Sequence, residues 1–373
     1  MIVKAIIVVL STIPILGWHG VSQDKFEEVF PLMKEAGFDG YLQRVTDVDR
    51  AIRMLDAAQS CGLMVIPGFS DLYSDPETFV PKIMNHPALM AYYLKDEPET
   101  WDLEELGKLV RRIQSIDTSI PCYINLYPNW AWQEEKYVEN INMFMDNCPV
   151  PFVSFDQYPV TEVDGMIVIR DTWYRNLEEI HKLCRDRGVP MWAFALLYSH
   201  HLGAPSPEAF YPVPTIGQLR LQVFSDLAYG AQAIQYYTVR GAIDVNGEKT
   251  PVYEIVKQVN SEIKGLSPVF LGCTVEDVWH IGEQPRGTKS LKSMPHRRVK
   301  RLEVSGKGAV VSLITNGTHK YLAVVNKDCV NPAHMEIKLS RRVRIVSKDF
   351  KMARFRGTAI DIDPGDMVLF CIE

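Results

Sequence analysis

Two acidic stretches interrupt apolar runs of this chain. One is Tyr92-Tyr93-Leu94-Lys95-Asp96-Glu97-Pro98-Glu99, in which adjacent carboxylates are stopped by a proline; the other is Ser154-Phe155-Asp156-Gln157-Tyr158-Pro159. Carboxylates are depleted in strands and rarely buried without a partner, so Asp96, Glu97 and Asp156 emerging from apolar segments need a reason. General acid and base work supplies one. Of two carboxyls held across a pocket, the one whose pKa burial raises can give up a proton while the other stays ionised. A structural alternative stands beside it: Asp96 pairs with Lys95 or caps a helix starting near Trp101, and Glu97 is merely solvated.

Placing both stretches at one site requires a repeating frame, and the chain has one. Short apolar runs at 13–18, 40–45, 63–69, 91–96, 121–126, 152–155, 191–197 and 233–238 alternate with amphipathic segments such as 25–36, 49–61 and 103–116, whose apolar residues recur at three and four. Glycines at 37, 62, 188 and 230 stand where left-handed C-caps would turn helices back into the sheet. The first strand is placed at 13–18 rather than 4–9 because Val21-Ser22-Gln23 then leads directly into the first helix, with Ser22 as its cap. The last helix is expected over 252–266, ending in Gly265-Leu-Ser-Pro268. Eight such units in about 260 residues match a (β/α)8 TIM barrel. A doubly wound open sheet fits the alternation too, but no GxGxxG follows the first strand and no P-loop occurs. In a barrel, the loops after the strand C-termini converge over one mouth. Strands four and six end in the two acidic stretches, so both belong there.

After Cys273 the helical period gives way to short alternating runs at 308–314, 320–326, 334–339, 343–346 and 366–371, with turns at Asn316-Gly317 and Pro364-Gly365. That pattern reads as a small antiparallel β-sandwich domain or barrel, with 282–298 as a mobile loop. Charge breaks at the same place: 1–272 carries −13 and 273–373 carries +7. Two domains follow, a barrel over 1–272 and an all-β unit over 273–373. The basic surface of the second protects strand edges or docks on the acidic barrel. With 47% hydrophobic and 23% charged residues the chain is neither disordered nor fibrous, and a net charge of −6 offers no footprint for nucleic acid. Seven cysteines without a CxxC pair signal neither a disulfide framework nor structural zinc. Residues 1–10 form a short apolar run with one lysine and no small-residue cleavage site, a strand or a trimmed signal segment; no membrane insertion is expected anywhere.

With Trp18-His19-Gly20 upstream, Asn85-His86-Pro87 ahead of strand four and Phe155-Asp156-Gln157-Tyr158-Pro159 downstream, segment 94–98 resembles glycoside hydrolases of gut Bacteroidetes. Those are TIM barrels related to the clan A glycoside hydrolases and often carry a small C-terminal β domain. The resemblance covers most of 13–270 and implies an oligo- or polysaccharide substrate, two-carboxylate cleavage of an O-glycosidic bond, and export to the periplasm or medium. Clan A strand four ends in Asn-Glu-Pro, where the Glu is the acid/base and the Asn binds the sugar 2-hydroxyl. By that match Glu97 is the acid/base, and Asp96 stands at the Asn position. Strand seven departs from the pattern. Clan A places its nucleophilic Glu there, whereas this chain reads Trp192-Ala-Phe-Ala-Leu-Leu-Tyr198-Ser-His-His201. Asp156, two strands from strand four and so about 9–10 Å along the sheet, is the first substitute. That span fits both the ~5.5 Å retaining and the ~6.5–9.5 Å inverting separations. Asp244 or Glu248, after strand eight, is the second substitute. The third is no nucleophile at all, which would leave a barrel that binds glycan without hydrolysing it.

A pyranose ring shows C–H faces and equatorial hydroxyls, so its site needs flat apolar platforms and short polar groups. The strand ends offer Trp18 and His19, Gln43 and Arg44, Asn125, Tyr127, Trp130 and Trp132, Tyr158, Trp192 and Tyr198, and finally Gln235, Tyr237 and Arg240. Each taken singly is as readily a packing residue, but the loop Asn125-Leu-Tyr-Pro-Asn-Trp-Ala-Trp132 has three aromatics with little core to enter and reads as a platform. No metal or cofactor is expected: His200 and His201 are adjacent rather than spaced for one ion and read as exposed loop histidines, and no HExxH occurs. No GxSxG elbow supports acyl transfer.

Overall fold

The computed structural model describes residues 11–132, 134–201, 210–340 and 343–373. Eight parallel strands form the barrel: Ile15–Trp18, Gly40–Arg44, Met64–Gly68, Tyr92–Asp96, Cys122–Leu126, Val153–Phe155, Met191–Leu196 and Ala231–Tyr237. Each lies within two residues of the expected run. The alternative first strand at 4–9 lies outside the described residues. Neighbours run three, two, one, eight, seven, six, five, four. The remaining gap closes where Val65 N–H donates to Ala88 O at 2.7 Å and Met90 N–H donates to Val65 O at 2.9 Å.

Side chains alternate across a strand, so the barrel sorts its residues into two cores. Leu16, Trp18, Leu42, Ile66, Tyr123 and Phe194 fill the interior. Ile15, Tyr41, Val65, Tyr92, Ile124 and Tyr236 pack outward against the helices. The chemistry of the mouth is then a question of parity. Tyr123 faces in, hence so does Asn125; Ser154 faces in, hence so does Asp156. Strand four breaks the rule: Tyr93 pairs with Tyr123, but Lys95 pairs with Ile124 and Asp96 with Asn125, a β-bulge at Leu94. Without the bulge Lys95 would take the inward position; the extra residue gives it to Asp96.

The helices outside the barrel follow local signals where nothing competes. Helix Val48–Cys61 starts at Asp47, whose carboxylate accepts from Arg50 N–H at 2.9 Å, and stops at Gly62 with φ 73°. All four anticipated cap glycines have positive φ. Ser22 is a correction: its hydroxyl goes to Asp24, Lys25 N–H bonds its carbonyl, and the helix begins only at Phe26 with no side-chain cap. A second correction concerns the last helix, which runs Tyr253–Phe270 straight through Pro268. Complete burial of Val269 and Phe270 outweighs the proline's missing donor. Gly265 is there for close approach rather than as a stop, since a Cβ on it would lie 2.0 Å from Lys348 O in the β unit. Gly265→Ala is therefore expected to cost about 1–3 kcal/mol and to lower Tm in thermal unfolding; an unchanged Tm would show that this contact does not hold the two units together.

Beyond the barrel, among the described residues, Thr274–Gly282, Gly308–Asn316, His319–Asn326, Met367–Cys371, Arg344–Val346 and Met352–Arg354 form one antiparallel sheet in that order, and Val299–Val304, Ala333–Leu339 and Ala359–Ile362 form another. Leu302, Val311, Leu322, Met335, Ile337 and Phe370 belong to the core between them. The stretch expected to be a mobile loop is tied to the first of these strands, with His280 N–H donating to Lys289 O at 2.7 Å and Leu291 N–H to His280 O at 3.0 Å. This sandwich rests on the barrel helix Ile216–Ala228, where Ser312 Oγ donates to Ala228 O at 2.7 Å. Lys348 reaches Glu262 at 3.1 Å and Lys289 reaches Glu178 at 3.6 Å, so part of the basic surface meets acids of the barrel. Among the described residues no helix is long and apolar enough to cross a membrane.

Candidate active site

Strands four, five and six deliver Asp96, Asn125 and Asp156 side by side. Asn125 Nδ2 donates to Asp96 Oδ1 at 3.2 Å and to Asp156 Oδ1 at 2.8 Å, which brings those two oxygens within about 6 Å of each other. A buried relay fixes which way the amide points. Ser154 Oγ donates to Asn125 Oδ1 at 2.9 Å, Gln235 Nε2 donates to Ser154 Oγ at 2.9 Å, and Tyr123 OH donates to Gln235 Oε1 at 2.7 Å. With its oxygen engaged by Ser154, Asn125 can present only its NH2 to the carboxylates. Ser154→Ala should leave the Asn125 oxygen and the Gln235 amide unsatisfied in the barrel interior, costing about 1–3 kcal/mol and loosening both aspartates; wild-type stability in chemical denaturation would show that this relay does not brace the site.

Glu97 follows in an uncommon backbone conformation, φ 48°, pinned by its N–H to Asn125 O at 2.8 Å. A non-glycine residue held there stores strain, which concentrates at functional sites. A cavity of about 160 Å³ is lined by Glu97, Asp96, Asn125 and Asp156, by the aromatic walls Trp18, Tyr158, Phe194 and Tyr237, and by His200. Burial first, then the charges of Asp156 and Asp96, push the Glu97 carboxyl up to about 8. Burial and the Asp96 charge push Asp156 up to about 7, with Asn125 and Tyr158 opposing them. Asp96 keeps contact with water at the mouth, yet the walls around it displace enough solvent to raise its carboxyl, against Asn125, Arg44 and Lys95. Neither structural alternative describes Asp96: Lys95 pairs with Asp102 at 3.6 Å, and Glu99 with Asp102 forms the capping box of Thr100–Asp102.

The remaining candidates divide by depth. Trp18 lines the cavity and a second depression of about 360 Å³ that holds His19, Gln43, Arg44 and Arg240. Trp192 and Gln235 face inward but sit beneath the mouth, which corrects their expected contact with substrate. Trp192 stacks on Phe152 at 3.9 Å with the planes 4° apart, and Gln235 is fully buried in the relay. None of the three rings of the aromatic loop after strand five lines this cavity. Tyr127 bonds Glu99 at 3.4 Å and meets Trp132 edge-on at 5.8 Å, while Trp130, 44% exposed, lies under the Arg170 guanidinium. Tyr198 stacks on His200 at 5.9 Å outside the cavity. Asp244 organises its own loop, accepting from Asn246 and Glu248 N–H at 2.8 and 2.9 Å, and Glu248 is exposed; neither supplies a second carboxylate to the cavity. His86 lies before strand four, at the opposite end of the barrel, against Asp56 at 3.2 Å.

His200, read as an exposed loop histidine, instead lines the cavity. A two-stranded ribbon, His200–His201 against Phe210–Tyr211, carries it there, and its ring stacks on Tyr211 at 4.9 Å. Its place just after strand seven was the signal available. Among the described residues no group of three or more His, Cys, Asp or Glu is arranged to hold a metal ion.

The fold and site define a (β/α)8 barrel with a C-terminal β-sandwich and a carboxylate-lined mouth. No protein-family model and no curated protein matches the chain. Among solved structures, the catalytic domain of a β-amylase from Paenibacillus polymyxa is similar at 9% identity over 67% of this chain and 98% of that one, with a TM-score of 0.45. An α-fucosidase of Thermotoga maritima is similar at 11% identity over 93% and 78%, TM-score 0.45. An α-L-fucosidase of Bacteroides thetaiotaomicron is similar at 8% identity over 96% and 93%, TM-score 0.46. At such identities and TM-scores these likenesses do not bear on activity, which has to be read from the cavity.

Proposed function

We propose that this chain is a glycoside hydrolase that cleaves an O-glycosidic bond, with the site carried by residues 1–272, Glu97 as the proton donor and Asp156 as the second carboxylate. The observation that carries this reading is two half-buried carboxyls lining one cavity, both raised, with the higher value at Glu97. An acetal is stable at neutral pH because its leaving alkoxide is a poor one. A carboxyl that keeps its proton at pH 7 can deliver it to that oxygen as the bond breaks. The positive charge then developing at the anomeric carbon needs a negative partner, and Asp156, oriented by Asn125, supplies it in its ionised form. Asp96, whose carboxyl accepts from the same Asn125 amide, adds a further carboxyl oxygen to the site. Trp18, Tyr158 and Tyr237 offer rings against which a sugar C–H face packs. Strand seven contributes Phe194, with His200 from the ribbon beyond it, and no carboxylate, so Asp156 takes the second position.

The test is a panel of nitrophenyl glycosides with wild type and Glu97→Gln. Turnover of at least one glycoside, lowered in the variant, supports the reading. Turnover that the variant leaves unimpaired removes Glu97 as the acid. Glycan binding without turnover on any member makes the protein a binder.

A further inference from the structure

We infer that the sugar bound here carries an anionic group, a carboxylate or a sulfate ester, received between Arg44 and Arg240. This rests on the carbohydrate reading above and names the class of substrate within it. The depression of about 360 Å³ shares Trp18 and Asp96 with the catalytic cavity, so a group attached to a sugar in the one projects into the other. Strands two and eight both neighbour strand one. Arg44 ends strand two and Arg240 follows strand eight, so the two arginines join the lining of the depression from the strands on either side of strand one.

Among the described residues neither arginine has a carboxylate partner. Arg44 lies over the Tyr73 ring at 5.2 Å, and Arg240 donates through Nε to Gly20 O at 3.3 Å. Other arginines of the chain do meet carboxylates, as in Arg220 with Glu262 at 2.5 Å and Arg187 with Asp146 at 2.7 Å, while Arg111 and Arg170 bond a carbonyl and a hydroxyl. A guanidinium is a planar fork suited to parallel bonds to one carboxylate or sulfate, and two of them on one lining, each with N–H groups beyond its contact to Tyr73 or Gly20 O, describe an anion receptor. The local charge agrees. His19 is kept neutral by burial and by Arg240, which hold its pKa at about 4, so the lining of this depression carries two arginines and one carboxyl, that of Asp96.

The experiment compares glucuronate, galacturonate and galactose 6-sulfate with glucose and galactose by titration calorimetry on the full chain, in wild type, Arg44→Gln and Arg240→Gln. The corresponding nitrophenyl glycosides are assayed in parallel. Both arginines are exposed, so the variants should fold as wild type does, which thermal unfolding checks. At least one anionic sugar should bind about tenfold tighter than its neutral parent, and each Arg→Gln should remove about tenfold from that sugar alone. The uronate and sulfate arms show which anion is preferred. Equal binding of charged and neutral sugars, no binding of any anionic one, or an equal loss for both kinds in the variants overturns the inference. Arginine-dependent anion binding without turnover leaves this inference standing and sinks the hydrolase. Glu97-dependent turnover of neutral glycosides that ignores both arginines does the reverse.

Discussion

Glu97→Gln should slow cleavage of a glycoside with a poor leaving group by about 10²–10⁴-fold, and the loss should shrink as the leaving group becomes more acidic. An alkyl or sugar alkoxide needs the proton as the bond breaks, while a dinitrophenolate leaves without help, so the ratio of the two rates reports on proton donation itself. A defect of equal size on both substrates would mean that Glu97 shapes the cavity rather than donating a proton. The pH profile supplies a second readout. With Glu97 at about 8 and Asp156 at about 7, the proposed mechanism requires the first protonated and the second ionised, which predicts a narrow bell between those values in kcat/KM. The two groups sense each other, so the limbs belong to the pair. The glutamine variant should lose the alkaline limb.

Asp156→Asn should also cost about 10²–10⁴-fold in kcat, because the asparagine keeps the shape and removes the charge that, in the proposed mechanism, steadies the cationic transition state. Its effect on stability should have the opposite sign. A carboxyl raised in the folded protein from an ordinary value near 4 to about 7 binds its proton more tightly folded than unfolded. It therefore contributes stability that is fully present below about pH 4 and is lost as pH rises through 7. Above pH 8 the wild type holds an ionised carboxylate in a site that resists it. The asparagine variant does not, and its Tm should exceed wild type by about 2–8 °C at pH 8.5 and match it at pH 4. A Tm that is lower at both pH values would show instead that Asp156 braces the strand ends. Such a gain on removing a functional charge is what a site built for reaction at some cost in stability predicts.

The frame was legible in the chain because its signals are local. Alternating apolar runs, helical spacing and cap glycines each depend on a few neighbouring residues, and all eight barrel strands appear within two residues of where those signals put them. Acidic residues following the fourth and sixth runs marked the mouth, since a parallel barrel leaves its strand ends nowhere else to converge. What lay beyond reach depends on partners distant in sequence. Helix Tyr253–Phe270 passes its glycine and proline because the β unit covers it. Trp192 and Asn125 look alike as strand residues, yet one stacks on Phe152 below the mouth and the other holds two aspartates at the rim. Above all, the bulge at Leu94 turns Asp96 rather than Lys95 toward the axis, and φ 48° aims Glu97 into the cavity. Residue types and their order along the chain determined that carboxylates would stand at this rim. Only the pairing of strand four with strand five decided which side chains face inward, because parity is a property of two strands in register and not of either one alone.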